Sequence, residues 1–298
     1  MFPLYSYLRK PDIVLIMGNY SPMKCAGKNI VLLRHPYLVD SSIRNEIGVL
    51  EKIIEEIRGI LFFLTIQFAD IVVVQSGYMK DLFFRKYKTR NVRIMVLPNP
   101  LSQGVVSSDM AIEIRQGLDE NIILYVSRYY PHKNHEFIID LARKHSDILK
   151  AKDIKFFITV DPDSGKYAEK LLRIIKEENL DDIVINIGEI PWSEMRRYYE
   201  KSVCLFFPSK SESFGNPLIE AMAHGKPIVV PDLGYAHAIC EDAGLYFKPN
   251  DMDDALRYLT EICENQELWE EYSKKSIDRA KKFPSVEKWA RMILKIGV

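Results

Sequence analysis

The chain of 298 residues predicts an α/β protein built from two open parallel sheets. Three observations carry this expectation. Short runs rich in Val and Ile recur along the chain, each too uniformly apolar for a half-exposed strand. Segments with helical periodicity separate the runs. The length exceeds that of one ordinary domain, so two cores are expected.

The first four strands are read at 13–17, 30–33, 71–74 and 94–97. Between the second and third lies a helical pattern over 42–68, with Ile47, Leu50, Ile54, Ile57 and Leu61 on one face. Core packing is the preferred reading of that face, and docking on a membrane is the alternative. Ser76 is placed to cap a helix that runs to about Tyr87, and Pro98-Asn99-Pro100 breaks the pattern. The irregular stretch 101–109 reads as a linker, dividing a first domain over 1–105 from a second over 106–283.

In the second domain strands are expected at 122–127, 154–160, 183–187, 203–207, 228–230 and 244–247. Helices are expected at 134–145, 164–178, 193–200 and 217–224, and then at 251–265, 268–282 and 286–296. The helix at 217–224 has the clearest ends. Asn216 suits the N-cap, Pro217 the first helical position and Gly225 a left-handed stop. Right-handed crossovers would wind this series into an open sheet with its ligand at the carboxyl ends of the strands.

Composition narrows the class. With 47% hydrophobic and 28% charged residues the chain reads as soluble and globular, and its formal net charge is zero. Residues 1–110 hold 14 Lys+Arg against 9 Asp+Glu, a balance of +5, for which a first half facing a negatively charged surface or substrate and a chance offset are nearly equal readings. No nucleic-acid partner is expected. Cys25, Cys204, Cys240 and Cys263 lack C-x-x-C spacing, so neither disulfides nor a thiolate metal site are expected. With no signal-peptide pattern and no uncharged run of 18 residues, the expected location is cytoplasmic, including a peripheral position at the inner membrane face.

The chemistry gathers at the predicted strand ends. Ser213-Phe214-Gly215 brings small residues and backbone N–H groups to a helix N-terminus just past a strand, where α/β sheets bind anions. Glu212 and Glu220 frame it. A carboxylate beside a phosphate repels it, so these two are better suited to accept hydrogen bonds from sugar and ribose hydroxyls. Arg128 and Lys133 follow the first strand of the second domain and suit a departing diphosphate. Gly188 and Ile190, in Gly-Glu-Ile-Pro after another strand, are read as backbone walls of a base pocket. His35 closes a first-domain strand, where orienting an acceptor hydroxyl and a purely structural role are equally good readings. Asp161-Pro162-Asp163 has metal-ligand spacing, but a turn is preferred, and no metal is expected.

These residues resemble a known family. The run Glu212-Ser-Phe-Gly-Asn-Pro-Leu-Ile-Glu220 resembles the E-x7-E signature of retaining glycosyltransferases of family 4, which have the GT-B fold. Arg128 and Lys133 are similar to that family's Gly-Arg…Lys segment, with Ser127 where glycine is usual. The stretches 70–76 and 96–100 resemble two further landmarks. The resemblance implies two Rossmann-like domains facing a cleft, the first shortened, with 284–298 crossing back onto it. It also implies transfer from a nucleotide-diphosphate sugar to a sugar or lipid-linked acceptor with retained configuration and without a metal. Glu220 would hold the ribose and Glu212 the transferred sugar. Ser213, Phe214, Gly215 and Asn216 would line the donor site, with the Gly215 and Asn216 amides on the diphosphate. The competing reading is a catalytically silent nucleotide-sugar-binding or partner subunit, completed by a partner chain or a second copy.

Overall fold

In the computed structural model, which describes residues 9–89, 92–102 and 121–297, the chain divides into two units, each on a parallel sheet. Most of the expected linker at 101–109 lies outside the described residues.

The first unit comprises Met1–Pro100, Ser211–Phe214 and Pro284–Val298. Its strands β1 (Ile13–Ile16), β2 (Lys28–Leu32), β3 (Ile71–Val74) and β4 (Arg93–Val96) pair in chain order, all parallel. Every side chain of β3 is buried, as its unbroken Ile-Val-Val-Val run requires of a strand covered on both faces. On one face lie α1 (Val49–Ile66) and α2 (Gly77–Lys86). Ser76 caps α2 through its hydroxyl oxygen, which accepts from Met79 N at 3.2 Å.

The orientation of α1 overturns the sequence expectation. Its buried positions are Glu55, Gly59, Phe62 and Ile66. Their spacing of four, three and four defines the inward face. Phe62 fills the pocket: it is fully buried and packs edge-on against Phe83 and Tyr20 and against Tyr87. Leu50, Ile54, Ile57 and Leu61 point away and are exposed. The helix is apolar nearly all round, so periodicity alone did not select the face. Phe62, on the same face as the small Gly59, selected it.

The second unit comprises Leu101–Lys210 and Gly215–Phe283. Its strands are β5 (Asn121–Tyr125), β6 (Ile154–Ile158), β7 (Val184–Asn186), β8 (Cys204–Phe206), β9 (Ile228–Pro231) and β10 (Gly244–Phe247). The sheet order is β10-β9-β8-β5-β6-β7, and every pair is parallel. The chain therefore builds outward from β5 to β7, returns to the other side of β5 at β8, and builds outward again. That reversal is the topological switch point, where open α/β sheets bind ligands.

Between the strands run α3 (His135–Lys144), α4 (Ser146–Ala151), α5 (Lys166–Glu177), α6 (Met195–Lys201), α7 (Asn216–Ala223), α8 (Gly234–Cys240), α9 (Met252–Glu264) and α10 (Gln266–Ala280). The short helices α4 and α8 have no counterpart in the sequence reading. The fully buried Trp269 of α10 donates from Nε1 to Val203 O at 2.8 Å, tying α10 to the entry of β8. Asp161 serves a turn: its carboxylate accepts from Asp163 N at 2.9 Å and its carbonyl from Ser164 N at 3.1 Å.

The last helix, α11 (Val286–Gly297), groups with the first unit. Ile293 is buried among Ile30, Leu32, Ile71, Val73 and Leu97, with Trp289 and Ile296 beside it. This covers the sheet face opposite α1.

The face assignment of α1 is testable by paired truncations. Phe62→Ala should destabilise the first unit by about 3–5 kcal/mol, and Ile57→Ala by less than about 0.5 kcal/mol, in urea denaturation of the full chain. A loss at Ile57 as large as that at Phe62 would contradict the face assigned to α1.

Candidate functional site

The switch point sets two loops side by side, one leaving β5 and one leaving β8. They are stitched together through backbone groups. His132 O accepts from Lys210 N at 2.8 Å and from Ser209 Oγ at 3.1 Å, and Asn134 Nδ2 donates to Pro208 O at 3.2 Å. Tyr235 of α8, fully buried, supports the second loop by donating to Ser209 O at 2.6 Å. On the other side of β5, Ser127 N donates to Thr159 Oγ1 at 2.9 Å, and Asn186 and Val160 exchange two bonds of 2.9 and 3.0 Å. The carboxyl ends of β5, β6 and β7 are thereby locked in register.

Lys133 sits at the end of a 3-10 turn, its backbone carbonyl accepting from Tyr125 Oη at 2.6 Å and its ammonium 5.6 Å from the Phe207 ring centroid. Asn134 then takes a left-handed conformation with φ of 59°, which Asn tolerates, and the chain turns directly into α3. Arg128 projects from the same loop, with its side chain largely exposed. Its Nη2 donates to Glu189 Oε1 at 2.8 Å. This bond brings the β5 loop to the Gly188–Ile190 segment after β7, so Arg128, Gly188 and Ile190 share one side of the sheet's carboxyl edge. Glu189 was not singled out from sequence.

His135 was also missed. It is buried between Tyr125 and Tyr129, with ring centroids at 4.7 and 5.4 Å, and neither ring nitrogen makes a hydrogen bond. Burial pushes its pKa down to about 3, the Lys133 charge pushes the same way, and the nearby Ser127 backbone offsets them in part. The ring is therefore neutral and acts as a packed wedge under the Arg128–Lys133 loop. Its place directly after Asn134, ahead of the apolar Phe137-Ile138-Ile139 run, was the available signal.

On α7 the sequence reading needs one correction. The helix begins at Asn216, and the N-cap is Gly215 with φ of 85° and ψ of 68°. That left-handed conformation favours glycine, so the backbone sets the turn and Asn216 occupies the first helical position, exposed to solvent. The other end holds as expected. His224 is the C-cap, and Gly225 follows at φ of 62°, where an added Cβ would lie 3.0 Å from Ser273 Oγ of α10.

Glu220 is buried on α7, and its Oε2 accepts a hydrogen bond of 2.9 Å from Tyr199 Oη on α6. Tyr199 is fully buried and its ring stacks on His224 at 5.3 Å. Burial raises the Glu220 carboxyl to about 6, and the Tyr199 hydrogen bond opposes that rise. The carboxylate is thus ionised above neutrality, oriented by one fixed donor, and has lone pairs left for others. Tyr199 is a positioning residue that sequence reasoning missed. Its spacing of four from Met195, the other buried residue of α6, was the signal.

The E-x7-E run crosses the boundary between units. Glu212, Ser213 and Phe214 group with the first unit, whereas Gly215, Asn216 and Glu220 group with the second. Glu212 and Phe214 are buried and Ser213 is half-buried. Beside them Ser211 Oγ donates to Asp40 Oδ2 at 2.6 Å, and Asp40 Oδ1 accepts from Ser42 N and Oγ. His35 lies in the first unit, with Nε2 3.1 Å from Glu55 Oε2, and its ring is 30% exposed. Asp40 and Glu55 are further buried carboxylates that no motif indicated. Among the described residues, no group of His, Cys, Asp and Glu has the arrangement of a metal site.

The profile of the family described as glycosyl transferases group 1 matches residues 110–282. The chain belongs to this family. The matched segment includes the β5 loop, the β8 loop and α7. Among relatives of this glycosyltransferase-family chain, the O-antigen chain mannosyltransferase RfbU of Salmonella typhimurium is 26% identical over 249 residues, covering 83% of this chain and 66% of the relative. A Campylobacter jejuni relative is N-acetylgalactosamine-N,N'-diacetylbacillosaminyl-diphospho-undecaprenol 4-alpha-N-acetylgalactosaminyltransferase. It is 28% identical over 233 residues, covering 76% of this chain and 60% of the relative. The chain thus spans about two thirds or less of these relatives' length. Among solved structures, HepE of Anabaena in complex with UDP and glucose superposes with a TM-score of 0.70 at 16% identity, covering 91% of this chain and 71% of that one. This likeness, with two parallel-sheet units, gives the chain a GT-B-like fold.

The buried Glu220 carboxylate makes a pH-dependent prediction. Because its folded pKa lies above the unfolded value, the charged form costs stability, and that cost grows as pH rises from about 4.5 through 6, to on the order of 2 kcal/mol. Glu220→Gln keeps an acceptor for Tyr199 and removes the charge. It should raise the melting temperature of the second unit at pH 8 and leave it unchanged at pH 4.5. Equal melting curves at both pH values would remove the buried-charge account.

Proposed function

We propose that the chain is a retaining glycosyltransferase that moves a sugar from a nucleotide-diphosphate sugar to a hydroxyl of a sugar or lipid-linked acceptor, in O-antigen or related polysaccharide assembly. The observation that carries the reading is the switch point itself. Two cation-bearing and backbone-rich loops meet there beside a helix whose oriented carboxylate suits a ribose diol, within the segment that matches the family. The relatives' names support the acceptor and pathway class, and a bound UDP in HepE supports the donor class.

In this reading the donor's diphosphate lies against Arg128, Lys133 and the Gly215 and Asn216 amides, the base against Gly188 and Ile190, and the ribose hydroxyls on Glu220. Glu212, Ser213 and Phe214 meet the transferred sugar, and His35 orients the acceptor. The anomeric C–O bond to the diphosphate breaks, the acceptor oxygen takes its place on the same face and gives up its proton to the departing diphosphate oxygen, and the charge that develops on the diphosphate is stabilised by the two cations and the helix N-terminus. Those groups supply what a metal ion would otherwise supply, so none is required. Arg128 exchanges Glu189 for the diphosphate. The enzyme works at the cytoplasmic face of the membrane, held there peripherally. Retention of both the cationic loop and the E-x7-E run favours an active enzyme over a silent subunit.

The test is release of nucleoside diphosphate from a panel of UDP- and GDP-sugars by the full chain. Turnover of one donor is expected, with Lys133→Ala and Glu212→Ala lowering it by about 100-fold or more. Tight nucleotide binding with no turnover for any donor and acceptor would favour the silent subunit.

A further inference from the structure

The outward face of α1 has no role in the fold or in donor binding. It exposes Val49, Leu50, Ile53, Ile57, Ile60 and Leu64, each more than half accessible, and Ile54, Leu61, Phe63 and Phe68 beside them. Along a helix of 18 residues, about 27 Å long, this is a continuous apolar strip, larger than soluble monomers ordinarily leave in water.

We infer that this face, with the aromatic and basic end of α2, docks flat on an anionic lipid surface. The inference rests on the proposed lipid-linked acceptor, which would bring the chain to a membrane. Charge decides the occupant. The acidic residues of α1 are engaged within the unit: Glu55 with His35 and Arg58, Glu56 with Arg44, and Glu51 with the Gly48 backbone N–H. Arg85, Lys88 and Arg93 are exposed bases that make no ion pair among the described residues. Tyr87 stacks on Phe63 at 6.0 Å, which sets the end of α2 against the aromatic end of α1. From Phe84 to Lys88 the sequence holds three bases and no acidic residue, and Phe84, Arg85 and Lys88 are exposed, as is Arg93 at the start of β4.

An apolar strip bordered by cations fits headgroups that are negative and acyl chains that are not. A second copy would bring an identical basic border and gain nothing from it. The helix lies in the interface and does not cross it, since no helix among the described residues is long and apolar enough to span.

The experiment is co-sedimentation of the full chain with vesicles of phosphatidylcholine alone and of equal parts phosphatidylcholine and phosphatidylglycerol. Wild type should sediment with the anionic vesicles. Ile53→Asp/Ile60→Asp should lose about 10-fold or more in binding, and Arg85→Glu/Lys88→Glu should lose a similar amount on anionic vesicles only. All four positions are at the surface, so unchanged melting curves show that the variants fold. Wild type remaining in the supernatant with both vesicles overturns the inference. So does concentration-dependent dimerisation abolished by Ile53→Asp/Ile60→Asp without vesicle binding, which would assign the face to a second copy. UDP and GDP binding measured in solution on the same samples keeps the two proposals apart: wild type that binds nucleotide but neither kind of vesicle refutes only the docking surface.

Discussion

The pairing of β8 with β5, through Ile123 opposite Cys204 and Leu124 opposite Leu205, is the constraint on which the rest of the second unit depends. It places strands far apart in sequence side by side and parallel, so the loops that leave them meet at the same edge. The switch-point hydrogen bonds, the placement of Lys133 over Phe207 and the launch of α7 all follow from it. The first unit has no equivalent among its described strands, which pair in chain order. The proposed donor site is accordingly built mainly from the second unit.

Around that edge, precision comes from buried polar groups that are costly to keep. Glu220 is a desolvated carboxylate held by one phenol, and Tyr199 is itself fixed by stacking on the helix C-cap. His135 is a buried imidazole with no hydrogen bond, wedged between two tyrosines. Neither arrangement is what stability alone would select. Both are understandable if the site needs an oriented acceptor on α7 and a rigid platform beneath Arg128 and Lys133. By contrast, the Arg128–Glu189 pair is exposed and weak, and so is free to exchange.

The sequence made the strand-helix alternation legible because buried parallel strands are uniformly apolar, and the ends of α7 legible because Pro217 and Gly225 have local mechanisms. It did not reveal the sheet order, since nothing in the composition of β8 says that it lies beside β5. Tyr199 escaped notice because its role depends on a contact between α6 and α7 across 21 positions. The face of α1 was misread for a different reason: a helix apolar on most sides has no period that identifies its core stripe, and the fit of one aromatic ring decided it. Gly215 replaced Asn216 as the cap because the left-handed turn that launches α7 falls on the glycine.

The central claim is that the oriented, ionisable Glu220 and the cationic β5 loop together form a nucleotide site. Its most direct test is calorimetric titration of the full chain with UDP and GDP between pH 5 and pH 8. One nucleotide should bind, with affinity falling as pH drops through about 6 and the carboxylate takes up its proton, and Lys133→Ala should weaken binding at every pH. Affinity that is flat across this range and unchanged in Lys133→Ala would contradict the account.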